Sequence, residues 1–254
     1  MPNDFSDAME RLGSITAKSG FRNERDIADK FRNWKDDEDA QMWLEIMRYE
    51  LDKIERVEAV ILHGYKTDVQ VQVTIYMKEA KSVENLSMKL VSNPKGFNQV
   101  DKRWVDKYVE LWEMPPDVAR GLKVFTGEIK PAKKGLRDPR RMFLDEMDEN
   151  IRDCIIKFFK ENKILVVTDI LKGRDRFAAE WIMVALRKDH KTVEWTLKSI
   201  NKALNVFGGG EVKMTPRGSL QIGKITMQRK GGDAGRPTAN MLQFKINPVE
   251  LFYA

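Results

Sequence analysis

Three observations predict an α/β protein. Residues 68–77 (DVQVQVTIYM) alternate apolar and polar side chains, the period-two pattern of a half-buried strand. Residues 22–34 and 38–53 repeat apolar positions at helical spacing. The stretch from Glu211 to Ile246 breaks into short strand-like runs punctuated by glycine and proline.

Composition sets the bounds. The chain has 254 residues, enough for a real hydrophobic core. Lys and Arg number 45 against 39 Asp and Glu, a net charge of +6, which favours a polyanionic partner. Cys154 is the single cysteine; it excludes an internal disulfide framework and suits a reducing cytoplasm. His63 and His190 are the only histidines and lie far apart, so a zinc site is not expected. No apolar run reaches membrane-spanning length. The N-terminal MPNDFSDAMERLG carries acids and no apolar stretch, so no signal peptide is expected.

The alternating run places Val69, Val71, Val73, Ile75 and Met77 on one face. The charged stretch 78–84 reads as a connection, and a second strand is expected from Asn85. On it Leu86, Met88 and Leu90 point one way, Ser87, Lys89 and Val91 the other. If the two strands pair, Asp68 comes near Ser87 and Lys89. An acid opening one strand, then a polar residue and a lysine on the next, suits metal-assisted phosphodiester cleavage. The carboxylate holds a divalent cation, and the lysine orients water or stabilises charge at the phosphate. The same spacing also suits a solvated hairpin face.

Taken in order, residues 22–34 form an amphipathic helix with Ile27, Ala28, Phe31 and Trp34 on one face. Glu24 sits in its first turn, either complementing the helix dipole or aimed at the metal site. Residues 38–53 form a second helix and 56–64 a strand. After a turn at 92–96, a helix is expected to carry Val100, Trp104, Val105 and Tyr108 inward. It presents Lys95, Asn98, Gln99, Lys102 and Arg103 at or near its N-terminus, where phosphates and base edges could be met. A short helix spans 116–127. Residues 130–141 form a basic loop, free to hold phosphates or simply solvated. A long helix is expected over 142–162, a strand over 164–167 and an amphipathic helix over 192–207. Between Lys213 and Lys245 lie seven basic residues and one acid, Asp233. That excess equals the whole chain's net charge, as a nucleic-acid surface would concentrate it. Arg229, Lys230 and Asp233 share a glycine-rich loop suited to reading guanine and cytosine edges.

Several stretches together resemble a known family: GFRNERDIADKFRNW, GYKTDVQVQV, KLVSNPKGFNQVDKRW, RRMF, LVVTDILKGRDRFAAEW and QRKGGDAGRPTANMLQFKINPVELF. They are similar to type II restriction endonucleases of the PD-(D/E)XK superfamily, most closely those that cut at GCGC. The resemblance runs from about residue 13 to 252. It implies a central mixed β-sheet flanked by helices in a single domain over 1–254, with a catalytic core over about 13–110 and a helical, DNA-reading part over about 111–254. It implies Mg²⁺-dependent hydrolysis of double-stranded DNA leaving 5′-phosphates. Asp68 matches the metal-binding acid and Lys89 the catalytic lysine. Ser87 stands where the family carries Glu, Asp, Gln or Asn, so the site would lean on Asp68, the Met88 carbonyl, water and Glu24. Gln99 matches a residue that enters the DNA, and the Arg229–Asp233 loop matches the sequence-reading loop. A palindromic target implies either a homodimer or successive nicks by monomers, and a cognate DNA methyltransferase is expected as genetic partner. The rivals are a structure-reading nuclease of the same superfamily, a DNA-binding protein whose nuclease site has decayed at Ser87, and an RNA-binding module.

Overall fold

The computed structural model describes residues 23–62, 70–133, 135–188, 192–232 and 236–254. Asp68, Asp233, His63, His190 and Lys134 lie outside the described residues. In chain order the helices are α1 (23–32), α2 (Glu38–Ile46), α3 (Val105–Trp112), α4 (Pro116–Thr126), α5 (Glu149–Glu161), α6 (Lys163–Leu171) and α7 (Ile200–Gly208). The strands are β1 (Ile54–Leu62), β2 (Gln70–Met77), β3 (Lys81–Val91), β4 (Asn98–Arg103), β5 (Trp181–Arg187), β6 (Val193–Ser199), β7 (Val212–Met214), β8 (Leu220–Ile222), β9 (Ile225–Arg229) and β10 (Leu242–Ile246). The chain divides into two compact units. One holds the chain up to Gly96 with Lys172–Ala203 and Asn247–Ala254; the other holds Phe97–Leu171 and Leu204–Ile246.

The first unit contains a mixed sheet in the order β1-β2-β3-β5-β6. β3 is its middle strand, antiparallel to β2 and parallel to β5. Helices α1 and α2 cover one face. Ile27, Ala28, Phe31, Trp43 and Leu44 share a core with Val57, Val71, Val73, Leu86, Met88 and Met183. Each fully buried large apolar side chain here contributes about 1.5–3 kcal/mol. Asp37 caps α2, its side chain accepting from the Ala40 amide at 2.9 Å, and so sets where that helix begins.

The second unit contains an antiparallel sheet in the order β4-β10-β9-β8-β7. Tyr108, Trp112, Phe159 and Phe244 pack as an aromatic cluster with centroids 4.5–6.5 Å apart. β8 and β9 join through Gly223 and Lys224, with Ile222 paired to Ile225. Gly223 has φ +58°, and an added methyl would lie 2.5–2.8 Å from the carbonyl oxygens of Phe207, Gly208 and Gly209. Gly223→Ala should therefore lower stability by about 2 kcal/mol, read as an earlier urea midpoint with an unchanged slope.

Several segments depart from the sequence expectation. The strand expected from Asn85 begins at Lys81, because Ser82, Val83 and Glu84 already pair with β2. The helix expected to present Asn98, Gln99 and Lys102 is strand β4 followed by α3; pairing with β10 takes the backbone of Asn98–Arg103. The long helix over 142–162 is a single turn at Leu144–Glu146, then α5 capped by Asp148. The apolar run 164–167 belongs to helix α6, which buries Val166, Val167, Ile170 and Leu171 and exposes Ile164 and Leu165. Continuous apolar runs are ambiguous between strand and buried helix. Residues 192–207 divide into edge strand β6 and helix α7, since Val193, Trp195 and Leu197 satisfy period two while Val193, Leu197 and Ile200 also fit helical spacing.

Candidate active site and nucleic-acid interface

Cross-strand partners share a face, so the register defines the site. Val71 faces Leu86 and Gln72 faces Asn85, and in the backbone register Gln70 pairs with Ser87. Leu86 and Met88 point into the core under α1 and α2. Asn85, Ser87 and Lys89 point to the opposite face of the middle strand. All three are buried, Lys89 at 4 % exposure. A lysine that deep is held there only against a considerable desolvation cost.

Asn85 organises this face. Its Oδ1 accepts from Gln72 Nε2 at 3.0 Å, and its Nδ2 donates to the carbonyls of Arg176 and Ala178 at 3.0 and 3.2 Å. Its backbone amide donates to Glu180 Oε2 at 3.1 Å, and its carbonyl accepts from the Glu180 amide at 2.9 Å. The segment 176–180 is thus tied to β3 two residues before Ser87. Beside it, Glu84 accepts from Tyr49 Oη and, at 2.8 Å, from Trp181 Nε1. Burial and the neighbouring Glu84 carboxylate raise the Glu180 pKa, and burial with the Glu84 contact pushes the Tyr49 hydroxyl up to about 12. Nothing in sequence periodicity marks Asn85; the carbonyls its amide group holds lie about ninety residues away.

Glu24 is buried in the first described turn of α1, on the helix whose apolar face shares the core with Leu86 and Met88. Among the described residues no three Asp, Glu, His or Cys side chains converge. The oxygen donors of the candidate set, the Glu24 carboxylate, the Ser87 hydroxyl and the Met88 carbonyl, are hard ligands of the kind a divalent cation such as Mg²⁺ takes. Asp68 lies outside the described residues.

The candidate DNA-contacting residues divide between two faces of the second sheet and one turn. Lys95 lies exposed in the turn at 93–96, its amide donating to Asn93 Oδ1 at 3.0 Å. On β4, Gln99 pairs with Lys245 and Lys102 with Gln243, while Asp101 pairs with Phe244 on the other face. The bulge that skips Val100 produces this arrangement. Asn98, at the start of β4, pairs with Ile246. Arg229 pairs with Leu242 and so lies with the core-facing side chains, not with Lys102. Its Nε and Nη2 both donate to Asn240 Oδ1, at 3.1 and 2.7 Å, and Asn240 Nδ2 donates to the Gly127 carbonyl at 3.0 Å. Burial lowers the Arg229 pKa. Lys230 leads into Gly231 and Gly232, both with left-handed φ. Much of the basic loop 130–141 is committed internally. Arg137 pairs with Asp145 and Glu146, Arg140 with Asp138, and Arg141 lies over the rings of Phe125 and Phe143. Burial pushes the Arg141 guanidinium down to about 10.

The profile of the R.HinP1I restriction endonuclease family matches residues 47–252. The chain belongs to this family. It is a site-specific deoxyribonuclease, and the family's members use a divalent metal. No curated protein sequence matches the chain. Its fold is similar to that in a crystal structure of the restriction endonuclease MspI in complex with its cognate DNA, with a TM-score of 0.64. The two are 13 % identical, over 93 % of this chain and 92 % of that one. The central mixed sheet flanked by helices is common to both. No helix among the described residues is long and apolar enough to cross a membrane.

Proposed function

We propose that this restriction endonuclease hydrolyses double-stranded DNA at the palindrome GCGC, in the cytoplasm, with Mg²⁺ and with Asp68, Ser87, Lys89 and Glu24 at the reacting phosphate. The observation that carries this reading is the buried Ser87 and Lys89 pair on one face of the middle strand, in a chain of this family. Duplex DNA as substrate is supported by the fold shared with a DNA-bound endonuclease. The Lys89 ammonium donates to a phosphate oxygen or holds the attacking water, at a depth where a fixed charge is screened little. The Ser87 hydroxyl beside it can donate to the same phosphate or orient water. Asp68, Glu24 and the Met88 carbonyl would hold the cation, which when bound supplies Lewis-acid polarisation of the phosphate and acidifies a water. Gln99, Lys102, Lys230 and Asp233 meet bases, Arg229 anchors the strand end that leads into Lys230 through its bonds to Asn240, and Lys95 and Asn98 meet backbone phosphates. The enzyme acts as a homodimer or by successive nicks, alongside a methyltransferase that protects the host's own sites.

Digestion of unmethylated phage DNA, with Mg²⁺ and with EDTA, tests this reading. Discrete fragments only with Mg²⁺, with ends sequenced to GCGC, are expected. Tight duplex binding without any cutting would instead make Ser87 the mark of a lost nuclease site.

A further inference from the structure

The second sheet has one face with no counterpart in the core. Its apolar side chains, Leu220, Ile222, Ile225, Met227, Leu242, Phe244 and Ile246, are all fully buried. The alternate positions form two cross-strand rows. One runs Gln99, Lys245, Thr226, Gln221; the other runs Lys102, Gln243, Gln228. Neither row contains an acid. Gln243 is internal, its Nε2 donating to the Arg229 and Lys230 carbonyls at 3.3 Å each. Thr226, Gln228 and Lys245 instead line a cavity of about 390 Å³, together with Arg217, Ser219 and the half-exposed ring of Phe97.

Lys245 is the residue that needs explaining. It is half-buried, burial alone lowers its pKa, and among the described residues its ammonium has neither an ion-pair nor a hydrogen-bond partner. Burying a cation without an acid is costly, and a fold has no structural use for it here, since methionine would fill the same space. A site that later receives acceptor atoms explains the arrangement. Long side chains standing off such a face can reach into the major groove, where lysine can donate to guanine O6 and N7 and an amide side chain can read an adjacent edge.

We propose that this face is a base-reading surface, with Lys245 donating to a guanine edge in the major groove and Gln228 and Thr226 flanking it. The inference rests on the nuclease reading above and adds residues to it. It also differs in kind from a phosphate anchor, which would carry no sequence information.

The test uses the full-length protein, Lys245→Met and Gln228→Met. Cleavage rates are measured on a duplex carrying the site found by fragment-end sequencing and on duplexes with one base pair changed. Binding is measured across a salt series. Lys245→Met should lose about 10- to 100-fold in kcat/KM on the cognate site. It should lose much less on the altered sites, so that discrimination narrows, with the salt slope of binding unchanged. Gln228→Met should narrow discrimination at a neighbouring base pair, and both variants should keep the wild-type thermal midpoint. Equal loss on every duplex, with the salt slope falling by about 1, would make Lys245 a phosphate anchor and overturn the proposal. Unchanged kinetics in both variants would overturn it too. A wild-type protein that cuts no duplex would instead sink the nuclease reading itself.

Discussion

Replacing Lys89 by methionine should slow DNA cleavage by about 10²- to 10³-fold and leave duplex binding and thermal stability close to wild type. The size follows from the loss of one fixed donor aimed at charge that develops in the transition state. The selectivity follows from the site. Lys89 is 4 % exposed on the middle strand of the mixed sheet, between strands β2 and β5. Methionine is unbranched and of similar length, so no cavity opens. The apolar contacts of the stem are kept, so the variant should stay folded, with a thermal midpoint close to the parent's. Single-turnover cleavage of a short duplex, with anisotropy binding in EDTA, separates the two quantities. A rate unchanged by the substitution would remove Lys89 from the chemistry. Binding lost in step with cleavage would make it a structural lysine. The companion variant Asp68→Ala should lose cleavage altogether and keep duplex binding.

The second large effect is expected at Asn85. Asn85→Ala removes an acceptor from Gln72 Nε2 and donors from the Arg176 and Ala178 carbonyls. Asn85 is 6 % exposed, so water cannot simply replace it. Stranding buried polar groups costs about 1–3 kcal/mol each, and a total near 3 kcal/mol is expected after relaxation. The loss should be local first. The Ala179 amide, bonded to the Lys172 carbonyl at 2.7 Å, should exchange its hydrogen faster than amides of β1. Cleavage should fall as well, because the strand two residues from Ser87 loses its tether. Asn85→Asp should do no better, since it sets a carboxylate against two carbonyl oxygens. A destabilisation below about 1 kcal/mol, with exchange at Ala179 unchanged, would mean that the two backbone bonds to Glu180 hold the segment by themselves.

By itself the sequence determined the parts whose signal is local. Alternation in DVQVQVTIYM located β2, and Ser87 and Lys89 fell on one strand face because strand side chains alternate. The apolar spacing at Ile27, Ala28, Phe31 and Trp34 located the described part of α1. Family motifs spread over the chain carried the chemistry that no single spacing could. The same alternation in LQFKI would have flagged Lys245, had it been set against its neighbouring strands.

Only the tertiary structure decided the rest. Residues 98–103 and 193–199 became strands because β10 and β5 offered their backbones partners, and pairing outweighs a weak helical pattern. ILVV became helix because its environment buries one side and leaves Ile164 exposed. Arg229 turned to the core-facing side because cross-strand register, not loop composition, sets which way a side chain points. Asn85 gained its importance from carbonyls about ninety residues away. Hydrogen-bond partners and register are properties of pairs of distant segments, and a single segment's pattern does not contain them.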